Sequence, residues 1–262
     1  MNGVIDISWM NLGLGFLLLI IPLIAFYYYK TGLVIDSLIS IARMAVQLFL
    51  VGLYLEYLFK LNNIFVNIGW VIVMITTATF SVIKRSGLKY RLFFVPVFVA
   101  IFFSLMVVDV YFILVVVRLD NMFTAMYFIP LTGMLIGNCL QGNIIALSSY
   151  YNRLKTEQLL YRWSIANGAS RGEALRNYMR DALKKSLNPS IATMAVIGLV
   201  SLPGMMTGQI LGGSMPSVAI KYQIMIMISI FVAMLLSVFV SIKLANRFVF
   251  DEYDNLKLEN RH

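Results

Sequence analysis

Long apolar stretches alternate along the chain with short polar gaps, and the charges collect in the gaps. Trp9 to Tyr29 carries no charge and is long enough to cross ~30 Å of hydrocarbon as a helix. No basic residue precedes it and no small-residue cleavage site follows, so a retained helix is expected rather than a signal peptide. Further spans are predicted over Leu33–Phe59, Ile64–Ile83, Leu92–Val117 and, with more glycine and polar residues, Met122–Tyr150. Residues 9–150 therefore read as five membrane helices. The segment 152–187 breaks this pattern, being charged and helix-forming. Ser170-Arg171-Gly172-Glu173 reads as a capping box, each side chain satisfying the other residue's amide. The helix it opens is expected to end near Leu187, because Asn188 precedes a proline and avoids the α region. Pro189 then opens a sixth span to about Gly213, at a position where its missing N–H costs nothing. Ser217–Asn246 makes a seventh, so residues 189–246 hold two helices and 247–262 a charged tail. The expectation is an all-α polytopic membrane protein forming a single transmembrane domain over 1–262. A surface helix lies between its fifth and sixth spans.

Composition agrees: of 262 residues 60% are hydrophobic and 13% charged, with a mean hydropathy of +0.85, whereas soluble domains carry about 25% charged residues. The net charge of +9 would suit nucleic acid, but the basic residues sit between apolar runs, as on the inner side of a membrane protein. A lipid partner is expected, and no nucleic acid. With seven spans and the amino terminus outside, 17 of the 21 basic residues fall on the inner side. That places the capped segment and the tail in the cytoplasm, with the loops at Asp120 and Ser214 outside a plasma membrane. Cys139 is alone, which excludes an internal disulfide or a cysteine metal cluster. The only histidine is His262, so histidine catalysis and zinc binding are excluded. An intramembrane enzyme also lacks a carboxylate pair within one span and a nucleophile motif. No G-x-x-x-x-G-K-[ST] loop occurs, so the chain has no cradle for ATP phosphates.

Three features inside the spans invite function. On the second, Asp36, Ser40, Arg43, Gln47 and Tyr54 share one helical face. Ionisable groups in the bilayer normally face a bundle interior or a cavity. Two readings of Arg43 stay open, a tether paired with Asp36 or with carbonyls, and the lining of a route. Glu56 lies on the opposite face, where an ion pair with Lys60 one turn on is expected. Glycines at 204, 208 and 212, and at 133 and 137, offer small-residue strips for close helix packing. Pro203, in mid-span, should bend the sixth helix. Sixteen methionines, Met205 and Met206 among them, supply soft metal ligands or ordinary core filling. Asp109, Asn138 and Gln141 are further oxygen donors for a metal.

The run Gly198-Leu-Val-Ser-Leu-Pro-Gly-Met-Met-Thr-Gly208, with Ala219-Ile-Lys-Tyr-Gln-Ile-Met225, resembles the family of bacterial iron-export permeases. Arg43-x-x-x-Gln47-Leu-x-x-Val-Gly52 and Ile129-Pro-Leu-Thr-Gly-Met-Leu-Ile-Gly-Asn138 are similar too, in the same order. The plant aluminium-tolerance half-transporters look like distant members. The resemblance implies the permease half of an ABC exporter of iron or a related metal. Two copies would pair with two ATP-binding subunits, ATP and magnesium being bound by those partners and no cofactor by this chain. Gly168, Ala169, Ser170 and Glu173, with Leu187-Asn-Pro189, then look like the loop that docks the ATPase. Where ABC importers carry Glu-Ala-Ala before the glycine, Arg162-Trp163-Ser164 stands, which sets this chain apart from importers. A passive channel, a secondary carrier, or an ABC permease for a non-metal substrate is the alternative. Internal repeats would favour the carrier.

Overall fold

The computed structural model describes residues 7–118, 121 and 123–256. Expectations that fall on Asp120, Met122, Lys257, Arg261 and His262 lie outside the described residues. Among the described residues all regular structure is helical, apart from two isolated bridges at Ile197–Ser201 and Phe250–Leu256. In chain order the helices are α1 (Trp9–Tyr28), α2 (Leu33–Leu61), α3 (Ile64–Ser86), α4 (Tyr90–Val117) and α5 (Ala125–Thr156). Then follow α6 (Gln158–Ala166), α7 (Arg171–Val196), α8 (Gly204–Leu211) and α9 (Pro216–Val249). Six of them (α1 to α5, and α9) are long and apolar enough to cross a membrane.

The core lies among α3, α4, α5 and α9. Its most extensive pair is α4 against α9, and the sequence shows why. On α9, Ser229, Ala233, Ser237, Ser241 and Ala245 recur every fourth residue and are all buried. On α4, Pro96, Ala100 and Ser104 do the same. Small side chains at this spacing let two backbones approach closely where lipid provides no hydrophobic push. Gly142 on α5 extends the principle: a Cβ there would overlap the side chain of Met234 on α9.

Helix directions follow from contacts at the ends. Phe93, near the start of α4, stacks edge-on against Tyr151 near the end of α5, with ring centroids 4.8 Å apart. Asn246, near the end of α9, accepts from Tyr151 at 2.9 Å and donates to Tyr150 at 2.8 Å. At the opposite end, Val117 of α4 lines a cavity with Lys221 and Tyr222 of α9. There Asn62 and Asn67 pin the entry to α5, accepting from the Ala125 amide and donating to the Phe123 carbonyl at 2.9 Å each. Thus α5 and α9 run parallel, and α4 runs against both.

The hairpin α1–α2 stands apart. No residue of α1 is buried, and Leu58 alone is buried on α2. The hairpin is held to itself by Trp9 on Phe49 and to the core by Tyr54 on Trp70.

Three expectations are corrected. α7 does not stop at Asn188-Pro189 but continues to Val196. Pro189 removes one backbone hydrogen bond, and a long helix with two further turns beyond it tolerates that loss. Nor is the segment 189–213 one helix bent at Pro203. The chain leaves helical geometry after Val196, turns at Gly198 (φ 86) and re-enters a helix at Gly204, with Pro203 as the extended residue before it. A proline N–H is not needed at a helix start, so Pro203 begins α8 instead of bending a longer helix. The fifth span also runs further than expected, to Thr156, because Asn152–Thr156 holds helical geometry without a break.

Candidate functional site

Two regions gather the polar chemistry. One is the corner between α6 and α7. Here Gly168 has φ 90, a conformation that favours glycine. Its amide bonds to the Ile165 carbonyl at 2.9 Å and the Ala169 amide to Ser164 at 3.1 Å, the double bond of a Schellman ending. Two residues on, Ser170 and Glu173 form the expected capping box. The Ser170 amide and hydroxyl donate to Glu173 Oε2 at 2.8 and 2.7 Å. These bonds hold the Glu173 carboxyl below its ordinary range. One helix is thereby closed and the next opened within four residues, giving a stiff exposed corner.

The corner is also braced from below. Arg153 at the end of α5 bonds Asp181 of α7 and, at 2.9 Å, Glu157. Arg171 pairs with Asp254 and lies over the Phe250 ring, 5.3 Å from its centroid. Buried Tyr161 on α6 donates to the Asp254 carbonyl at 3.1 Å. Leu175, Tyr178 and Ala182 of α7 are buried against the bundle. A push on this corner reaches α5, α7 and the segment after α9 together.

The second region is inside the bundle. Asp109 is buried on α4, two residues before the wider π turns of Tyr111–Val117. Thr132 of α5 donates to its Oδ2 at 2.9 Å, while Oδ1 has no partner. Asp109 and Thr132 share one wall of a cavity of about 230 Å³, otherwise lined by aliphatic and aromatic side chains such as Ile72, Phe102 and Phe128. About three turns along α5 from Thr132, buried Asn143 donates to Ser237 of α9 at 2.7 Å. Thr132, Asn143 and Ser237 were not anticipated. Their signal was a polar residue within an apolar span, which names no partner on another helix.

The other donors do not join Asp109. Asn138 donates to the Met134 carbonyl of its own helix, and Gln141 is exposed. Gln141 lies nine residues from Thr132, half a turn round the helix from it. Met205 and Met206 are half-buried on α8. Among the described residues no three His, Cys, Asp or Glu side chains cluster as metal ligands.

The face of α2 is not buried either. Asp36, Arg43 and Gln47 are exposed, and neither the Asp36–Arg43 nor the Glu56–Lys60 ion pair forms among the described residues. The glycine strip of α8 is likewise open. No atom lies within 4 Å of a Cβ built at Gly204, Gly208 or Gly137, while Gly133 meets Met74 of α3 at 3.1 Å and Gly212 only its own helix. Leu199 and Val200, between α7 and α8, are 91% and 79% exposed.

Comparison with known proteins places this architecture. Residues 9–250 match UPF0014, described as an uncharacterised protein family. A UPF0014 membrane protein of Bacillus subtilis, YjkA, is 30% identical over 84% of this chain and 86% of its own. The protein of Escherichia coli named "Probable iron export permease protein FetB" is 30% identical over 82% of each chain. An Arabidopsis thaliana protein named ALUMINUM SENSITIVE 3 is 29% identical over 79% of this chain and 75% of its own. No solved structure matches. The chain belongs to the UPF0014 family.

Proposed function

We propose that this UPF0014 protein is the membrane permease subunit of an ATP-driven exporter of iron or a related metal. It would work as two copies with two separate ATP-binding subunits. The single observation that carries the reading is the stiff α6–α7 corner, in which Gly168, Ala169, the Ser170–Glu173 box and the Arg153–Asp181 brace present a rigid exposed surface tied to the spans. A subunit that must turn a partner's ATP cycle into helix movement needs such a lever, and this chain has no phosphate loop of its own. The metal comes from the names of the relatives, one an iron export permease and one named for aluminium sensitivity.

Chain direction supports a seventh crossing made of two pieces. Arg171 lines a cavity with Arg247 at the late end of α9, yet Pro216 starts α9 at the other end. Ser190 of α7 already lies beside Met234, halfway along α9, with Oγ 3.9 Å from the sulfur. The chain between them therefore climbs the bundle as the last turns of α7, the break at 197–203 and α8. Broken helices at membrane depth line pathways or are covered by protein, since lipid cannot satisfy free backbone. Exposed Leu199, Val200 and the open glycine strip fit cover by the second copy. So does the face of α2 carrying Asp36, Arg43 and Gln47, whose charges are costly against lipid. In this arrangement the amino terminus is outside and the corner and tail are cytoplasmic, at the plasma membrane.

The test is purification of this chain co-expressed with a candidate ATP-binding subunit that carries a phosphate loop. Co-elution, and hydrolysis stimulated by ferrous or ferric ion, are expected. Gly168→Leu, which forces a bulky side chain into the left-handed region, should abolish both while membrane insertion is kept. An ATPase that co-elutes and hydrolyses equally well with the Gly168→Leu variant would refute the docking role.

A further inference from the structure

A cavity of about 400 Å³ sits where the ends of α5 and α9 meet the first turns of α7, beneath the corner. Its rim carries Arg171, Arg176, Lys243 and Arg247, and its floor is Leu175, Met179 and Phe239. Four cations in one concavity repel one another unless compensated. Three carboxylates of this end are already committed: Asp254 to Arg171, Asp181 to Arg153, and Glu173 to the Ser170 cap. Arg176, Lys243 and Arg247 form no ion pair among the described residues. Lys243 lies instead over the Phe239 ring, 5.0 Å from its centroid. Gly172, in the first turn of the 26-residue α7, adds the positive end of that helix to the same rim.

We propose that this cavity binds a phosphate group, supplied by the headgroup of an anionic phospholipid. Its position selects the lipid. Lys243 and Arg247 stand in the last two turns of α9, where the apolar span gives way to charge. Phe239 and Met179 form an apolar floor between that rim and the span. Basic pockets between spanning helices at this level recognise anionic headgroups, with acyl chains lying against the helix. A phosphate bridging Arg176 of α7 to Arg247 of α9 would clamp the corner to the bundle. The binding stands whatever solute is transported.

The test is thermal unfolding of the purified full chain in neutral detergent. The titrants are dioctanoyl phosphatidylglycerol, dioctanoyl phosphatidylcholine and inorganic phosphate. Phosphatidylglycerol should raise Tm saturably and phosphatidylcholine should not. Arg176→Gln and Arg247→Gln, both at exposed positions, should each weaken the response about fivefold, the usual value of one basic residue at a membrane surface. Lys84→Gln with Arg85→Gln, in the last turn of α3, should leave it unchanged. A Tm rise with inorganic phosphate as well makes a free phosphate compound an equal occupant of the same pocket. No response to any titrant, or a response untouched by Arg176→Gln and Arg247→Gln, overturns the proposal.

Discussion

Thr132 of α5 donates its hydroxyl to Asp109 of α4 at 2.9 Å, deep in the bundle, and leaves the second carboxyl oxygen without a partner. A buried polar group with one bond made and one unmade is poised for a ligand or a proton, and it is costly to disturb. Asp109→Asn keeps the shape and an acceptor for Thr132, so the folded protein should be recovered in wild-type amount while export is lost. Asp109→Ala strands the Thr132 hydroxyl and should cost about 1–3 kcal/mol. Thermal unfolding of the purified variants, beside a metal-efflux assay in cells, checks both. Full export by Asp109→Asn would remove Asp109 from the route.

Gly142 and Gly208 should respond oppositely to enlargement. A side chain at 142 collides with Met234 in the α5–α9 contact, and overpacking of this kind costs about 1–3 kcal/mol. Gly142→Val is expected to lower Tm and yield. Gly208→Ala meets nothing within the chain and should leave the stability of the isolated protomer unchanged. Equal losses at both positions would show that the strip on α8 is already packed.

The capping box predicts a pH dependence at the corner. The bonds from Ser170 lower the Glu173 carboxyl from its ordinary 4.5. A depressed folded-state pKa contributes stability that is complete above the unfolded value and fades as pH falls through the folded one. Glu173→Gln should therefore lower Tm relative to the parent at pH 7, and the gap should close as the pH drops below about 4.5. A gap that stays constant down to pH 3 would mean that the carboxylate contributes nothing.

Local signals were legible in the sequence, and long-range ones were not. The capping box depends on four consecutive residues, and it stands as read. Five of the seven expected spans begin and end within a few residues of α1 to α4 and α9, because hydrophobic length alone decides them. Pro189 misled because a proline is a probable stop, not a certain one, and the helix there continues as α7 climbs along α9. The packing strip was sought in glycines, whereas Ser229, Ala233, Ser237, Ser241 and Ala245 do that work at the same spacing. Asp109 was visible as a charge in a span, but Thr132 lies on another helix, and nothing local announces such a pair. Arg43 was read as a tether or a route lining, and in the single chain its face of α2 stands exposed.

The two-piece crossing predicts a labelling pattern. Cys139 is fully buried, so an introduced cysteine should dominate reaction with an impermeant thiol reagent. Ser214→Cys, in the exposed turn before α9, should label in intact cells. Lys184→Cys, exposed midway along α7 and before Ser190, should label only after the membrane is opened. Both positions labelling from outside would mean that the chain does not cross between α7 and α9.

A dimer through α8 is the last expectation, and the geometry narrows it. Had the glycine strip packed inside the chain, Gly208 would face the fifth span near Gly137. Instead both are open, with no atom within 4 Å of either Cβ position. Leu199, Val200 and Leu202, on the break just before α8, are exposed as well, Leu199 at 91%. Lipid gives apolar side chains no reason to associate, so the argument for a partner rests on the backbone. In the turn at 197–203 the amides of Ile197, Gly198, Leu199 and Val200 are bonded within the chain, Gly198 to Ser201 at 2.9 Å, whereas the Leu202 amide finds no partner among the described residues, and free backbone groups are costly in hydrocarbon. A second copy laid against α8 would shield that turn and bring two Gly208 backbones close enough for introduced thiols to meet. Gly208→Cys, with Cys139→Ser, should therefore give a disulfide-linked dimer in membranes under mild oxidation, whereas Gly137→Cys in the same background should not. Efficient joining of Gly208→Cys to Gly137→Cys within one chain, with no dimer from Gly208→Cys alone, would show that the strip closes internally.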